Sequence, residues 1–62
     1  MVKEFIVTGQ LKQRKDGQTL ILHQSFMTTS KESAVENFHK HFEPDLKIIK
    51  IYSVVDEYGN IL

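Results

Sequence analysis

Few residues in this chain have chemistry to offer. His39 and His41 are its one close histidine pair. On a helix of 3.6 residues per turn, a spacing of two turns the side chains about 200° apart. A shared metal takes helical ligands three or four residues apart, which face the same way, so no metal is expected at this pair. His23 has no sequence-local partner. Glu32, Glu36, Glu43, Asp45, Asp56 and Glu57 fall at a helix start, on a helix face or in turns, where solvation or capping accounts for them. Acid–base catalysis needs two groups converging in a cleft. Ser25, Ser30, Ser33 and Ser53 have no nucleophile-elbow context, and there is no phosphate loop or dinucleotide fingerprint. A domain this small also has little volume for a closed pocket. An enzyme is therefore not expected, nor is any cofactor. What remains is contact chemistry. Lys12, Arg14 and Lys15 sit around a turn and suit phosphates or an acidic protein surface. Tyr52 and Tyr58 combine apolar area with a hydrogen-bonding tip.

The elements that position these residues must fit in 62 residues, room for one domain spanning residues 1–62. With no cysteine, disulfides and thiolate metal sites are excluded. So small a fold must rely on good packing or on association. Eight basic side chains balance eight acidic ones, whereas a dedicated nucleic-acid binder carries a basic excess. That balance disfavours a nucleic-acid partner. No segment approaches the roughly 20 apolar residues of a membrane helix. Met1-Val2-Lys3-Glu4 is followed by no long apolar run, so it does not read as a signal peptide. The cytoplasm is the expected location.

Residues 4–13 alternate, with Phe5, Val7 and Leu11 on one parity and Ile6, Thr8, Gln10 and Lys12 on the other. This is the signature of a half-buried strand. Gly9 within it signals a bulge or a close backbone approach. Arg14-Lys15-Asp16-Gly17 is a hairpin turn, because Asp-Gly accepts positive φ angles. A second strand follows over residues 18–28, closing an antiparallel hairpin. Thr29-Ser30-Lys31-Glu32 matches a capping box with Thr29 as cap, and Ser30 is the alternative. Ala34, Val35, Phe38 and Phe42 recur at helical spacing, and Glu36 with Lys40 makes a favourable i,i+4 pair. Pro44 stops the helix, predicted over residues 30–42. A β-branched strand spans residues 46–55. Residues 56–60 form a turn, after which Ile61 and Leu62 have room for a brief fourth strand. The expected fold is α+β in the order β-β-α-β, with one helix packed on one face of a three-stranded antiparallel sheet.

One helix of about 13 residues, about 20 Å long, covers one face of such a sheet, and the other face should read as polar. Strict alternation places Phe5, Val7, Leu11, Leu20, Leu22 and Phe26 toward the helix. Ile6, Ile21 and Met27 then lie on the open side, with one parity of the third strand: Ile48, Tyr52 and Val54, or Ile49, Ile51 and Val55. An open face this apolar marks an interface unless the C-terminal segment covers it. Unpaired sheet edges, on the first or third strand, offer a second route to a partner. Lysines 12, 47 and 50 would guard those edges.

Two families share features with this chain. Lys-Glu-Phe-Ile-Val-Thr-Gly-Gln-Leu at residues 3–11, Phe26, and Ser-Lys-Glu-Ser-Ala-Val-Glu before an isoleucine-rich strand resemble one copy of the archaeal ribosomal LX fold. That resemblance implies a ribosome- or RNA-associated domain. Where that family is basic, this chain has Glu43-Pro44-Asp45. Phe5, Phe26, Thr29-Ser30, Glu32, Ala34, Glu36 and the proline before the last strand are similar to the small podovirus early protein that inhibits bacterial RNA polymerase. That resemblance implies a phage-encoded inhibitor in the host cytoplasm.

The reading is a non-catalytic protein-binding module that inhibits or modulates a host protein, of the phage or mobile-element type. Arg14 and Lys15 are its expected polar rim. Ile21, Met27 and Tyr58 are its expected apolar contacts. An RNA- or ribosome-associated domain and a structural homodimer closing its open face are the alternatives.

Overall fold

The computed structural model describes residues 1–62. Strand β1 covers Lys3–Gln13, β2 covers Thr19–Thr28, helix α1 covers Lys31–Phe42 and β3 covers Leu46–Asp56. The β-β-α-β order and the α+β class are as the sequence predicts. The sheet order is β2-β1-β3, with both outer strands antiparallel to β1. β1 is therefore the central strand, which corrects the expectation of an edge there; the edges are β3, the other strand expected, and β2. Because β2 and β3 run the same way, the chain must cross over β1 between them. Helix α1 makes that crossing, which lays it over the strand with the deepest side chains.

The hairpin turn closes with the Gln13 amide donating to the Gln18 carbonyl at 2.8 Å, and Gly17 takes a φ of 76°. The β1–β2 register then runs unbroken from Lys12 opposite Thr19 to Lys3 opposite Thr28. At the helix start the structure selects Ser30, and not Thr29, as the cap. Ser30 has extended backbone angles and its side chain accepts the Ser33 amide at 3.1 Å. Thr28 and Ser33 hydroxyls share a 2.7 Å bond across the same junction.

The core comprises Phe5, Val7 and Leu11 of β1, Ala34 and Phe38 of α1, and Val54 of β3. Burying each of the larger side chains is worth about 1.5–3 kcal/mol. Leu22, Phe26, Val35, Phe42, Leu46, Ile48 and Ile51 pack around them. Phe26 meets Phe38 edge-on at 6.5 Å between centroids.

β3 departs from strict alternation. Its register against β1 slips between Thr8 and Gly9 and again between Gln10 and Leu11. Each slip inserts an extra residue and restarts the pleat. Ile48, Ile51 and Val54 consequently all turn toward the helix, while Ile49 and Tyr52 are exposed. This corrects both parity sets read from the sequence, which put Tyr52 with Ile48 and Val54, and Ile51 with Ile49. The C-terminal fourth strand reduces to one bridge, Val55 with Ile61. It is fastened by the Asp56 amide to the Asn60 carbonyl and the Leu62 amide to the Val54 carbonyl.

Candidate binding surface

The side of the sheet away from α1 has no covering element. Cross-strand partners share a face, so the register lays this surface out in rows. From the turn 56–60 end to the hairpin end they run Met27 and Glu4; Ser25, Ile6 and Val55; His23, Thr8 and Ser53; Ile21, Gln10 and Lys50; Thr19, Lys12 and Lys47. Ile61, bridged to Val55, extends the second row on the same face. The tail therefore widens the surface without covering it. Met27 is 66% exposed and Ile61 78%, with the half-buried Ile6 and Val55 between them.

The middle of the face is polar and hydrogen-bonded. Thr8 Oγ1 lies 3.0 Å from His23 Nδ1, while at the margin of the apolar end Ser25 donates to Glu4 at 2.8 Å. Tyr52, turned outward by the β3 bulges, donates its hydroxyl to Gln10 at 3.1 Å, and the Lys50 ammonium stands 5.5 Å above its ring. The hairpin end is basic. Lys12 and Lys47 are direct cross-strand partners, and like charges so placed repel. The ion pairs of the chain are His39 with Glu43 and Lys40 with Glu36, so no carboxylate neutralises Lys12, Lys47 or Lys50. Beside them Lys12, Gln13, Arg14, Asp16, Gly17 and Lys47 line an open depression of 410 Å3.

The five contact residues expected from the sequence do not form one patch. Arg14 and Lys15 belong to the hairpin tip, and the Arg14 guanidinium donates to the Glu43 carbonyl at 3.2 Å. That bond ties the tip to the helix C-terminus. Ile21, 58% exposed, and Met27 share the open face but lie six residues apart on one strand, about 20 Å. Tyr58, 82% exposed, sits in the turn beyond β3, at the Met27 end. The molecule is 39 Å long, so the rim residues and Tyr58 lie at opposite ends. Tyr52, which the sequence already offers as a contact residue, does reach the open face. The alignment of Lys12, Lys47 and Lys50 and the place of Ile61 in this face need the register, and the signal for Ile61 is its apolar character after a turn.

His39 and His41 point apart. His39 Nδ1 lies 2.7 Å from Glu43 Oε1, and the His41 ring packs edge-on against Phe26 and Phe42. No group of three or more His, Cys, Asp or Glu side chains is placed to hold a metal ion, and no helix is long and apolar enough to cross a membrane. Two carboxyls are held below the usual carboxylate range. Asp56 is lowered chiefly by the Asn60 amide, helped by the Asn60 side chain and the Tyr58 amide. Glu36 is lowered by the hydrogen bond and charge of Lys40. Both serve local structure. Comparison with protein-family models, curated proteins and solved structures returns no match.

Proposed function

We propose that this chain is a non-catalytic protein-binding module whose open sheet face docks on a host protein and inhibits or modulates it by occupying its surface. The supporting observation is the uncovered apolar end of that face: Met27, Ile6, Val55 and Ile61, with the tail lying alongside β3. An apolar row rimmed by Ser25, Glu4 and His23 has the make-up of a contact core with a polar border. The similarity to the podovirus inhibitor makes bacterial RNA polymerase the first partner to try, in a host cytoplasm.

The test is affinity capture from a bacterial lysate, and on purified RNA polymerase, with wild type and Met27→Asp/Ile61→Asp side by side. Circular dichroism checks that both are folded. The expected result is a defined protein retained by the wild type and at least about tenfold weaker retention by the variant, the loss typical of a contact residue worth more than 1 kcal/mol. Equal retention by a folded variant overturns the reading.

A second reading, an RNA-associated domain, rests on the unneutralised Lys12, Lys47 and Lys50 beside the exposed Tyr52 ring, a pairing that suits a single strand. Three phosphate contacts would give a log–log salt slope of about −2 for single-stranded RNA. Binding that is absent or insensitive to salt removes this alternative.

A further inference from the structure

The two edges of the sheet are built differently. β3 has two bulges, Lys47 and Lys50, and a tail paired along its upper part. All three are devices that keep an edge from pairing with another chain. β2 has none of them. Its sequence, Thr-Leu-Ile-Leu-His-Gln-Ser-Phe-Met-Thr, contains no lysine, arginine, carboxylate or proline, and its register against β1 has no slip over ten residues. It is a long, regular strand without lysine, arginine or carboxylate, and its outer backbone groups meet no other strand; one of them, the Ser25 carbonyl, accepts the Gln24 side-chain amide at 3.4 Å, a bond the second copy would displace.

We infer that β2 pairs edge to edge with β2 of a second copy, antiparallel about a two-fold axis at Gln24, to make a six-stranded sheet. The side chains around Gln24 supply the reason for a copy as the occupant. Counting outward in both directions, the strand repeats itself in character: His23 and Ser25 are polar, Leu22 and Phe26 apolar, Ile21 and Met27 apolar. An axis at Gln24 therefore sets Leu22 against Phe26 of the second copy on the helix side, and Ile21 against Met27 on the open side. Both pairs occur twice, as an isologous contact requires. An axis at His23 would oppose Leu22 to Gln24 and Ile21 to Ser25. An axis at Ser25 would oppose Phe26 to Gln24 and Met27 to His23. The His23 axis keeps one apolar pair, Leu20 with Phe26, and the Ser25 axis keeps none, whereas the Gln24 axis keeps two and leaves Leu20 opposite Thr28.

The backbone agrees with this register. The Gln13 amide bonds the Gln18 carbonyl, and antiparallel pairs alternate between bonded and non-bonded. Residues 20, 22, 24, 26 and 28 thus direct their amides and carbonyls toward β1. Residues 21, 23, 25 and 27 direct theirs outward. In the Gln24 register those four meet as 21 with 27 and 23 with 25, each a bonded pair. Gln24 meets its own copy in a non-bonded pair, where the side chains stand closest.

The experiment uses the purified chain alone, so its result is independent of any host partner. Sedimentation equilibrium from about 10 μM to about 1 mM reads the mass, because association follows concentration. The chain has no native cysteine, so single cysteines report the register. In this register the α-carbons at position 24 stand about 4.5 Å apart, within disulfide reach. Those at 23 or 25 stand about 8 Å from their own copies, out of reach. The expected results are a mass rising toward two chains and covalent dimer from Gln24→Cys but not from His23→Cys or Ser25→Cys.

A charge pair gives a second reading that does not depend on cysteine. Ile21→Lys should disperse the dimer, and adding Met27→Glu should restore it, since each introduced ammonium would face an introduced carboxylate of the second copy. The two sites lie about 20 Å apart within one chain, so the rescue cannot be internal. A single-chain mass across the whole range overturns the inference. So does cross-linking that is no better at 24 than at 23 and 25, or failure of the second charge to rescue the first.

Discussion

The Phe38 ring lies directly over Gly9: two of its carbons stand 3.1 Å from where a β-carbon on residue 9 would be, and the Lys50 carbonyl oxygen stands 3.0 Å from it. Glycine at this position lets the helix sit low on the central strand, beside the first β3 bulge. Gly9→Ala should cost about 1–3 kcal/mol through overpacking, read as a lower denaturation midpoint in urea. Trimming the ring with Phe38→Leu should be less harmful in the alanine background than in the wild type. Additive effects in that double-mutant cycle would show that the two groups do not press on each other.

At the start of α1, Ser30→Ala removes the acceptor for the Ser33 amide and should destabilise the protein by about 1 kcal/mol. Thr29→Ala, at an exposed residue one step earlier, should change stability by less than about 0.5 kcal/mol. Chemical denaturation of the two variants checks the order. The reverse ranking would move the cap back to Thr29.

The turn after β3 is tied by the Asp56 carboxylate, which accepts the Tyr58 and Asn60 amides, each at 2.9 Å. These bonds favour the charged form, so the folded-state pKa lies below that of the unfolded chain. Their contribution is complete above the unfolded value, about 3.9. It is lost as pH falls through the lower, folded value. Glu36 has the same sign. Amide exchange at Tyr58, Asn60 and Leu62 should therefore lose protection only as pH drops below about 4, while Val7 and Leu11 stay protected. Asp56→Ala should show the loosened tail already at neutral pH.

Lys12 opposite Lys47 is a like-charge rung. Lys47→Glu converts it to an opposite-charge rung and should stabilise the protein by about 0.2–1 kcal/mol. The gain should shrink as salt is added, because both side chains reach solvent. Thermal melts at low and high ionic strength check both statements. A gain that ignores salt would point to packing by the aliphatic stem.

Much of this architecture is legible in the residues. Alternation in β1, the Asp16-Gly17 turn, the Ala34–Phe38–Phe42 stripe and the Pro44 stop each report a local preference, and the helix-facing set Phe5, Val7, Leu11, Leu22 and Phe26 follows directly. β3 defeats the same approach because parity assumes two residues per repeat, whereas its inward residues 48, 51 and 54 are spaced by three. Bulges arise from how the partner strand fits, and that partner lies far away along the chain. Strand order is hidden for the same reason: nothing local to β1 says that it will be flanked on both sides. Arg14 reads as a free rim residue because its acceptor, the Glu43 carbonyl, is a backbone group 29 residues distant. On the open face Ile21 and Met27 are recognisable as apolar and outward. Their distance from each other, and the part played by Ile61, need the register.

That central position of β1 also has a meaning for synthesis. As the chain leaves the ribosome, β1 can close its hairpin with β2 almost at once, yet its other side stays bare until the helix and then β3 have emerged. Val54, a fully packed member of the core, arrives only with that later strand. The nascent chain must pass through a stage in which a half-built sheet shows one raw backbone margin and an unfilled hollow under the helix, the kind of species prone to stick to its neighbours. Translational pauses that hold β3 inside the exit tunnel should therefore raise the yield of aggregate more than pauses placed before β2 has appeared.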